Sequence, residues 1–540
     1  MTLKIASEVL ADHILIYHFF DPKTRRADYQ RQIIEPFFSL KPKEILTHLA
    51  EAEVKGESSE AGMLLGQKLD ELRRIVAREG NIARWNVLHW LEDVAYLRPD
   101  DVLAIVAPIV DGPEQPPAAS QDGWLRFEIE HEMVLDKAVD VLSRTIYQGS
   151  LRDAIPYLHK LARYRPEANG YARVREKAHK ALVDIAALQP GKPYVVQRTL
   201  LERIAVWLEQ DFGGNLSLSL AILRSMLSMQ SLSAGADPTQ PFNIYFQRGV
   251  LRPDEPLRRI RERALDLLHQ TYRRASSLSK RLKIVQALNG AVPHIAPSFP
   301  VSAEMQVWLQ PDCLKTARIF SEVVVPEAEL PVVDAVAKWL WRARRFGGYQ
   351  ADDLDRLRQQ IQDHSSYQLY RILMGWHRSD EEDYPSNWRA PEQRRGQAVE
   401  HYLEELCPAT MECAIRDLDT IVEQARSAGE SGTHWFNVLL RKLGEGYPDL
   451  ARQLIERTVA EDLTLKHHLG FVIAGLRHGA PDMAWGYIEA WVTSSDPTLW
   501  LAVASSYRLW IGATFKLMSG MCCAILQQKA LRWLTSKSLG

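Results

Sequence analysis

His131 and Glu132 open a run that, completed as His-Glu-x-x-His, would set two imidazoles one helical turn apart on Zn2+ with the glutamate as general base. Leu135 stands where the second imidazole is required, so zinc hydrolysis is not expected there. His467 and His468 are adjacent and diverge by about a hundred degrees around a helix, which keeps them from forming a metal pair by themselves. They read as solvated or hydrogen-bonded core histidines, with Glu461 and Asp462 serving a helix start. Cys407 and Cys413 are too far apart for a short zinc knuckle, and no second pair lies nearby. No glycine-rich loop ends in Gly-Lys-Ser or Gly-Lys-Thr; Gly213 with Gly214, and Gly347 with Gly348, read as backbone freedom between helical segments. No general acid and base can be assembled from the sequence. The reading assigns no catalytic, cofactor-binding or metal-ligating residue, no cofactor, and a protein that is not an enzyme.

Other residues suit contact better than catalysis. Arg258, Arg259, Arg261 and Arg263, then Arg273, Arg274, Lys280, Arg281 and Lys283, read as solvated helix surface, with a patch for an acidic or phosphate-bearing partner as the alternative. The 15 Trp, among them Trp85, Trp90, Trp207, Trp339, Trp341, Trp376, Trp388, Trp435, Trp485, Trp491 and Trp500, fill gaps between helices or anchor an interface. Asp380, Glu381, Glu382 and Asp383, beside Tyr384 and Trp388, read as a solvated inter-helix loop or a dock for a basic partner.

The elements that position these residues read as helices. Apolar residues recur at steps of three and four over almost the whole chain, and alternating runs long enough for strands are nearly absent. Helices are expected over residues 5–20, 29–39, 44–53, 61–77, 85–96 and 100–110, then 133–143, 150–163, 174–187, 194–208, 217–229, 253–272 and 279–288. The series resumes over residues 331–345, 351–362, 367–376, 391–406, 411–427, 435–443, 448–460, 463–477, 481–492 and 497–510. Residues 112–123, with Pro113, Pro116 and Pro117, form a linker, and 231–241 a loop. The expected organisation is an N-terminal helical domain (1–112), a repeat block (124–292), a proline-rich junction (293–330), a second repeat block (331–510) and an atypical end (511–540).

A chain of 540 residues exceeds what one compact core supports, so its core must divide or spread along a stack. Hydrophobic residues at 46% and charged residues at 25% argue against disorder. The formal charge of -2 speaks against a nucleic-acid-coating role. Five Cys without a pairing pattern place the chain in a reducing compartment, the cytoplasm. Charges at Lys4, Glu8 and Asp12 interrupt any opening signal, and residues 509–526 read as a buried or terminal helix, so no membrane is expected.

Helices arrive about every twenty residues, and two per unit give a period near forty. The expected fold is therefore all-α, an α-solenoid of irregular HEAT- and TPR-like helix pairs in which each amphipathic stripe is buried by its neighbours. The expected function is a scaffold or sensor with a protein partner. The alternatives are an all-α enzyme with an unrecognised pocket and a nucleic-acid-binding solenoid using the Arg-rich helices.

The opening Ser7 to His13, Ser-Glu-Val-Leu-Ala-Asp-His, resembles the segment following the winged helix in bacterial STAND/NACHT-type ATPases. Residues 98–102, 252–267 and 439–450 resemble the C-terminal helical repeats of such proteins. The resemblance implies a sensor for antiviral defence whose ligand binding triggers assembly of an ATPase and effector. Walker motifs and an effector have no counterpart in this sequence. The resemblance thus implies the sensing part of a split or truncated system, with an upstream-encoded ATPase or a phage protein as partner. The lower charge of residues 511–540 fits such a truncated end.

Overall fold

Short amphipathic helices bury their stripes against neighbours here, and prolines punctuate them at first turns, as at Pro99, Pro448, Pro481 and Pro497. A computed structural model describes residues 16–21, 23–56, 58–116, 118–119, 128–146, 151–165, 173–188, 194–237, 240–250, 253–291, 303–347, 352–375, 390–430 and 433–511. The chain divides into two units, Met1–Leu267 and Leu268–Gly540. It is all-α in its packing: many short helices packed in pairs, consistent with a generic helical-repeat fold.

The first unit contains α1 (Pro42–Gly56), α2 (Ser59–Arg78), α3 (Asn81–Leu91), the single turn α4 (Val94–Leu97) and α5 (Pro99–Asp111). A two-residue ladder follows, β1 (Ala118–Ala119) with β2 (Glu128–Ile129). Then come α6 (His131–Thr145), α7 (Leu151–Ala162), α8 (Arg173–Ala186), α9 (Val195–Gln210) and α10 (Phe212–Leu227). After a hairpin, β3 (Gln230–Asp237) and β4 (Gln240–Val250), helix α11 (Glu255–Arg274) spans the unit boundary. The second unit continues with α12 (Leu278–Leu288), α13 (Ala303–Ile319), α14 (Leu330–Gly347), α15 (Asp352–Asp363), α16 (Ser365–Leu373), α17 (Ala390–Glu405) and α18 (Met411–Ser427). It ends with α19 (His434–Gly446), α20 (Pro448–Ala460), α21 (Leu469–Gly479), α22 (Pro481–Thr493) and α23 (Pro497–Ile511).

Many helices meet both the next and the next but one. In the first unit α6 packs on α7 and α8, and α8 on α9 and α10; in the second, α19 packs on α20 and α21, and α21 on α22 and α23. Polar pairs between helices repeat on this spacing. Arg98 to Glu53 and Lys137 to Glu92 are each 45 residues apart, Lys160 to Asp111 49, Lys177 to Asp136 41, Lys442 to Glu400 42 and Arg457 to Glu412 45. Such separations are close to the length of one helix pair. Arg318 to Asp353, at 35, marks a shorter unit around α13 and α15.

A second regularity sits at the turns. The last carbonyls of a helix lack intrahelical donors, and here a side chain from the first turn of the following helix supplies them. Arg84 Nε donates to Val76 O at 3.2 Å, and Asn215 Nδ2 to Trp207 O at 2.6 Å. Gln197 Nε2 reaches Ala187 O at 3.3 Å, Arg281 Nε reaches Ala275 O at 3.1 Å, and Gln368 Nε2 reaches Gln362 O at 3.0 Å. One donor thus fixes both the end of one helix and the entry of the next.

Five expectations need correction. The loop expected at 231–241 is the first arm of an antiparallel hairpin, with Ser231 opposite Gly249, Gly235 opposite Tyr245, and a register shift between Ala236 and Asp237. Its second arm alternates Phe242, Ile244 and Phe246 with Asn243 and Gln247, a period-two signal obscured by Ser and Gly in the first. Gly213 and Gly214 lie inside the first turn of α10 rather than between helices. The Asp211 carboxylate caps the helix, accepting from Gly214 N at 2.9 Å. The proline-rich stretch 293–330 contains the 17-residue α13, with Pro311 in its interior. The helix expected over 85–96 breaks between α3 and α4, and that over 463–477 opens as a 3-10 turn, Thr464–His468, before α21. The first expected helix lies outside the described residues except for the turn Ile16–Phe20.

Candidate functional site

The basic run of the Arg-rich helices divides by burial. In the first unit Arg261 is 0% exposed and donates to Leu227 O, whereas Arg259 is exposed and pairs with Glu255 at 3.3 Å. In the second, Arg281 pairs with Glu329 at 3.4 Å, while Arg273 and Lys283 are exposed. His131 is the first residue of α6 and buried. His468 is half-buried, its Nδ1 3.0 Å from Asn437 Oδ1 and its ring 5.2 Å from Phe436. Burial holds it down to about 4, while its neighbour His467 is exposed beside Arg426.

Cys313 is buried, and burial pushes its thiol up to about 12. Cys407 and Cys413 are exposed; at Cys407 the Thr410 hydroxyl, with the Thr410 and Ala409 amides, lowers the thiol. Trp339 is fully buried, edge-on to Phe320 at 5.0 Å, and Trp207 stacks on His159 at 3.9 Å. Trp485 is 39% exposed with the Arg477 guanidinium 5.4 Å above its ring. The acidic cluster 380–383, Trp376 and Trp388 lie outside the described residues. Among the described residues, no three His, Cys, Asp or Glu side chains converge as a metal site, and no helix is long and apolar enough to cross a membrane.

A part-buried titratable cluster lies in the second unit, at the junction of α14, α16, α17 and the end of α18. Tyr367 Oη donates to Asp334 Oδ1 at 3.0 Å, and Lys338 meets Asp334 Oδ2 at 2.7 Å. Tyr370 Oη donates to Glu430 Oε2 at 2.5 Å. Glu430 is aimed there by a Schellman turn: Gly429 has φ 74°, Glu430 N bonds Ala425 O at 3.0 Å, and Gly429 N bonds Arg426 O at 3.0 Å. Arg395 Nη2 donates to Arg371 O at 3.1 Å and to Gly375 O, satisfying the end of α16. Burial raises Glu430 and both tyrosines and lowers Arg395 to about 10. Tyr367, Tyr370 and Arg395 each donate to an acceptor on another element, while Lys338 pairs with Asp334 within α14, so the chemistry of the cluster is that of a clasp between helix pairs.

In the first unit, the other face of α3 is open. Ile75, Glu79 and Gly80 at the end of α2, with Ile82, Ala83, Asn86, Val87 and Trp90 of α3, line a groove of about 390 Å3. Positions 82, 83, 86 and 90 form one stripe along α3. Asn81, Arg84, Val87, Leu88 and Leu91 of α3 are buried, so Val87 forms the floor of the groove. Asn81 Nδ2 donates to Gln115 O, Pro116 O and Ile129 O at 3.1 to 3.2 Å, tying both ends of the proline-rich linker to α3. The sequence offered Trp85 and Trp90 as aromatic candidates; it did not mark Glu79 or Gly80, whose placement depends on the turn between two helices. No family model and no curated protein matches this chain.

Proposed function

We propose that this chain is a recognition module of irregular HEAT- and TPR-like helix pairs, a scaffold or sensor rather than an enzyme, whose exposed helix faces engage a protein partner. One observation supports the reading most: polar pairs between helices recur at 41 to 49 residues, as in Lys177 to Asp136 and Lys160 to Asp111. A structure assembled from similar units presents repeated, rigid helix faces, which suit contact with a macromolecule. The resemblance of residues 7–13 and 439–450 to STAND/NACHT-type repeats refines the proposal to the sensing part of a split defence system. Its partner is then a separately encoded ATPase or a phage protein, and the compartment the cytoplasm.

Crosslinking of the intact chain in host cells, followed by mass spectrometry, tests this. The expected result is a reproducible protein partner crosslinked to exposed helix positions. Recovery of a small-molecule turnover activity without any such partner overturns it.

A further inference from the structure

The hairpin of β3 and β4 interrupts the connection between α10 and α11, where the other helix pairs of the first unit turn through short loops. Neither strand has a further strand beside it, and among the described residues no helix packs along either. A two-stranded hairpin is marginally stable in water, and the main-chain N–H and C=O groups along its outer edges are a template for another extended chain. We infer that the outer edge of β4 pairs antiparallel with β4 of a second copy of this chain, making one four-stranded sheet across two molecules; this is independent of the recognition reading above.

Two observations select a second copy. Residues 244–250 stand in unbroken register with 230–236, and the register shift beyond Ala236 ends this regular edge. A two-fold axis at Gln247 uses all of it, setting Ile244 opposite Val250 of the second copy, Tyr245 opposite its Gly249 and Phe246 opposite its Arg248. Aliphatic with aliphatic, aromatic with glycine and aromatic with cation are all favourable cross-strand pairs, so the edge is complementary to itself. The second observation is charge. Edges that stay single are guarded by several charged residues, whereas β4 carries one, Arg248, and this register does not set it opposite itself.

Sedimentation equilibrium of the full chain over a wide concentration range tests this, and a monomer–dimer equilibrium is expected. Phe246→Lys sets a cation opposite Arg248 in both copies and is expected to weaken dimerisation about tenfold or more, whereas Phe246→Glu sets a carboxylate there and is expected to stay within about threefold of the parent. Unchanged thermal midpoints show that the helical body is intact. Gln247→Cys, on the two-fold, is expected to give a disulfide-linked dimer on mild oxidation, above the background set by the parent's own cysteines. Ser233→Cys, on β3, is expected to give none above that background. A chain that stays monomeric, a dimer that the lysine and glutamate variants weaken equally, or equal crosslinking at positions 247 and 233 overturns the proposal.

Discussion

The guanidinium of Arg261, with no solvent exposure, donates to the main-chain oxygen of Leu227, the last residue of α10. A residue that belongs to a basic run in sequence is thereby a fastening between α11 and the helix before the hairpin. The same use of a cationic or amide side chain on a helix end recurs at Arg84, Gln197, Asn215, Arg281 and Gln368. Charge in this chain therefore contributes to helix pairing as well as to its surface.

Arg261→Met is expected to lower stability by about 2–4 kcal/mol, because a charge-assisted bond is removed and a buried carbonyl loses its donor. Arg259→Ala, at an exposed site paired only with Glu255, is expected to change it by less than about 0.5 kcal/mol. Urea denaturation of the two variants separates the alternatives. Equal small losses would return Arg261 to the solvated surface.

Most helices were legible because their evidence is local. Met411–Ser427 and Pro448–Ala460 carry an apolar stripe of period 3.6 between clear start and stop residues. The hairpin was not, because its first arm, Ser231-Leu-Ser-Ala-Gly-Ala, has loop composition and becomes a strand only through pairing with residues 240–250. Pro311 concealed α13, since an interior proline ordinarily ends a helix. The clasp of Tyr370 and Glu430 joins residues 60 apart, a relation that no local period encodes.

Close helix approach in the second unit depends on glycine. A Cβ on Gly475 would collide with Arg441 O, and one on Gly479 with Glu445 O, across the contact of α21 with α19. Gly475→Ala is expected to cost about 3 kcal/mol, at the upper end for overpacking because the obstacle is backbone. Gly486→Ala in α22, where a Cβ meets nothing within 4 Å, is expected to stabilise by about 0.5–1 kcal/mol. Thermal midpoints that move in the same direction for both would contradict this packing.

His468 should give the acid limb of the stability curve. Burial lowers its folded value to about 4 from an unfolded value of about 6.5, so the folded state favours the neutral ring. Its contribution is fully present above about pH 6.5 and is lost as the pH falls toward 4, reaching about 3 kcal/mol. His468→Gln, which can still meet Asn437, should flatten stability between those limits. A parent and variant with parallel profiles there would place the acid sensitivity elsewhere.

Tyr370 and Glu430 predict the opposite sign. Burial raises the Glu430 carboxyl above the ordinary range, so the fold favours its protonated form. The resulting penalty is absent below the unfolded value near pH 4.3 and grows as the pH rises through the folded one. Glu430→Gln removes that penalty and should leave stability at pH 7 unchanged or slightly higher. Tyr370→Phe instead strips the ionised carboxylate of its donor at 2.5 Å and should cost about 1.5–3 kcal/mol at pH 7, falling to about 1 kcal/mol once the carboxyl is protonated. Combining the two substitutions tests the link directly: the double variant should recover most of the loss of Tyr370→Phe, because no buried charge is left without a partner. Additive losses in urea denaturation at pH 7 would mean that the two side chains act independently and that this clasp does not hold α16 to the end of α18.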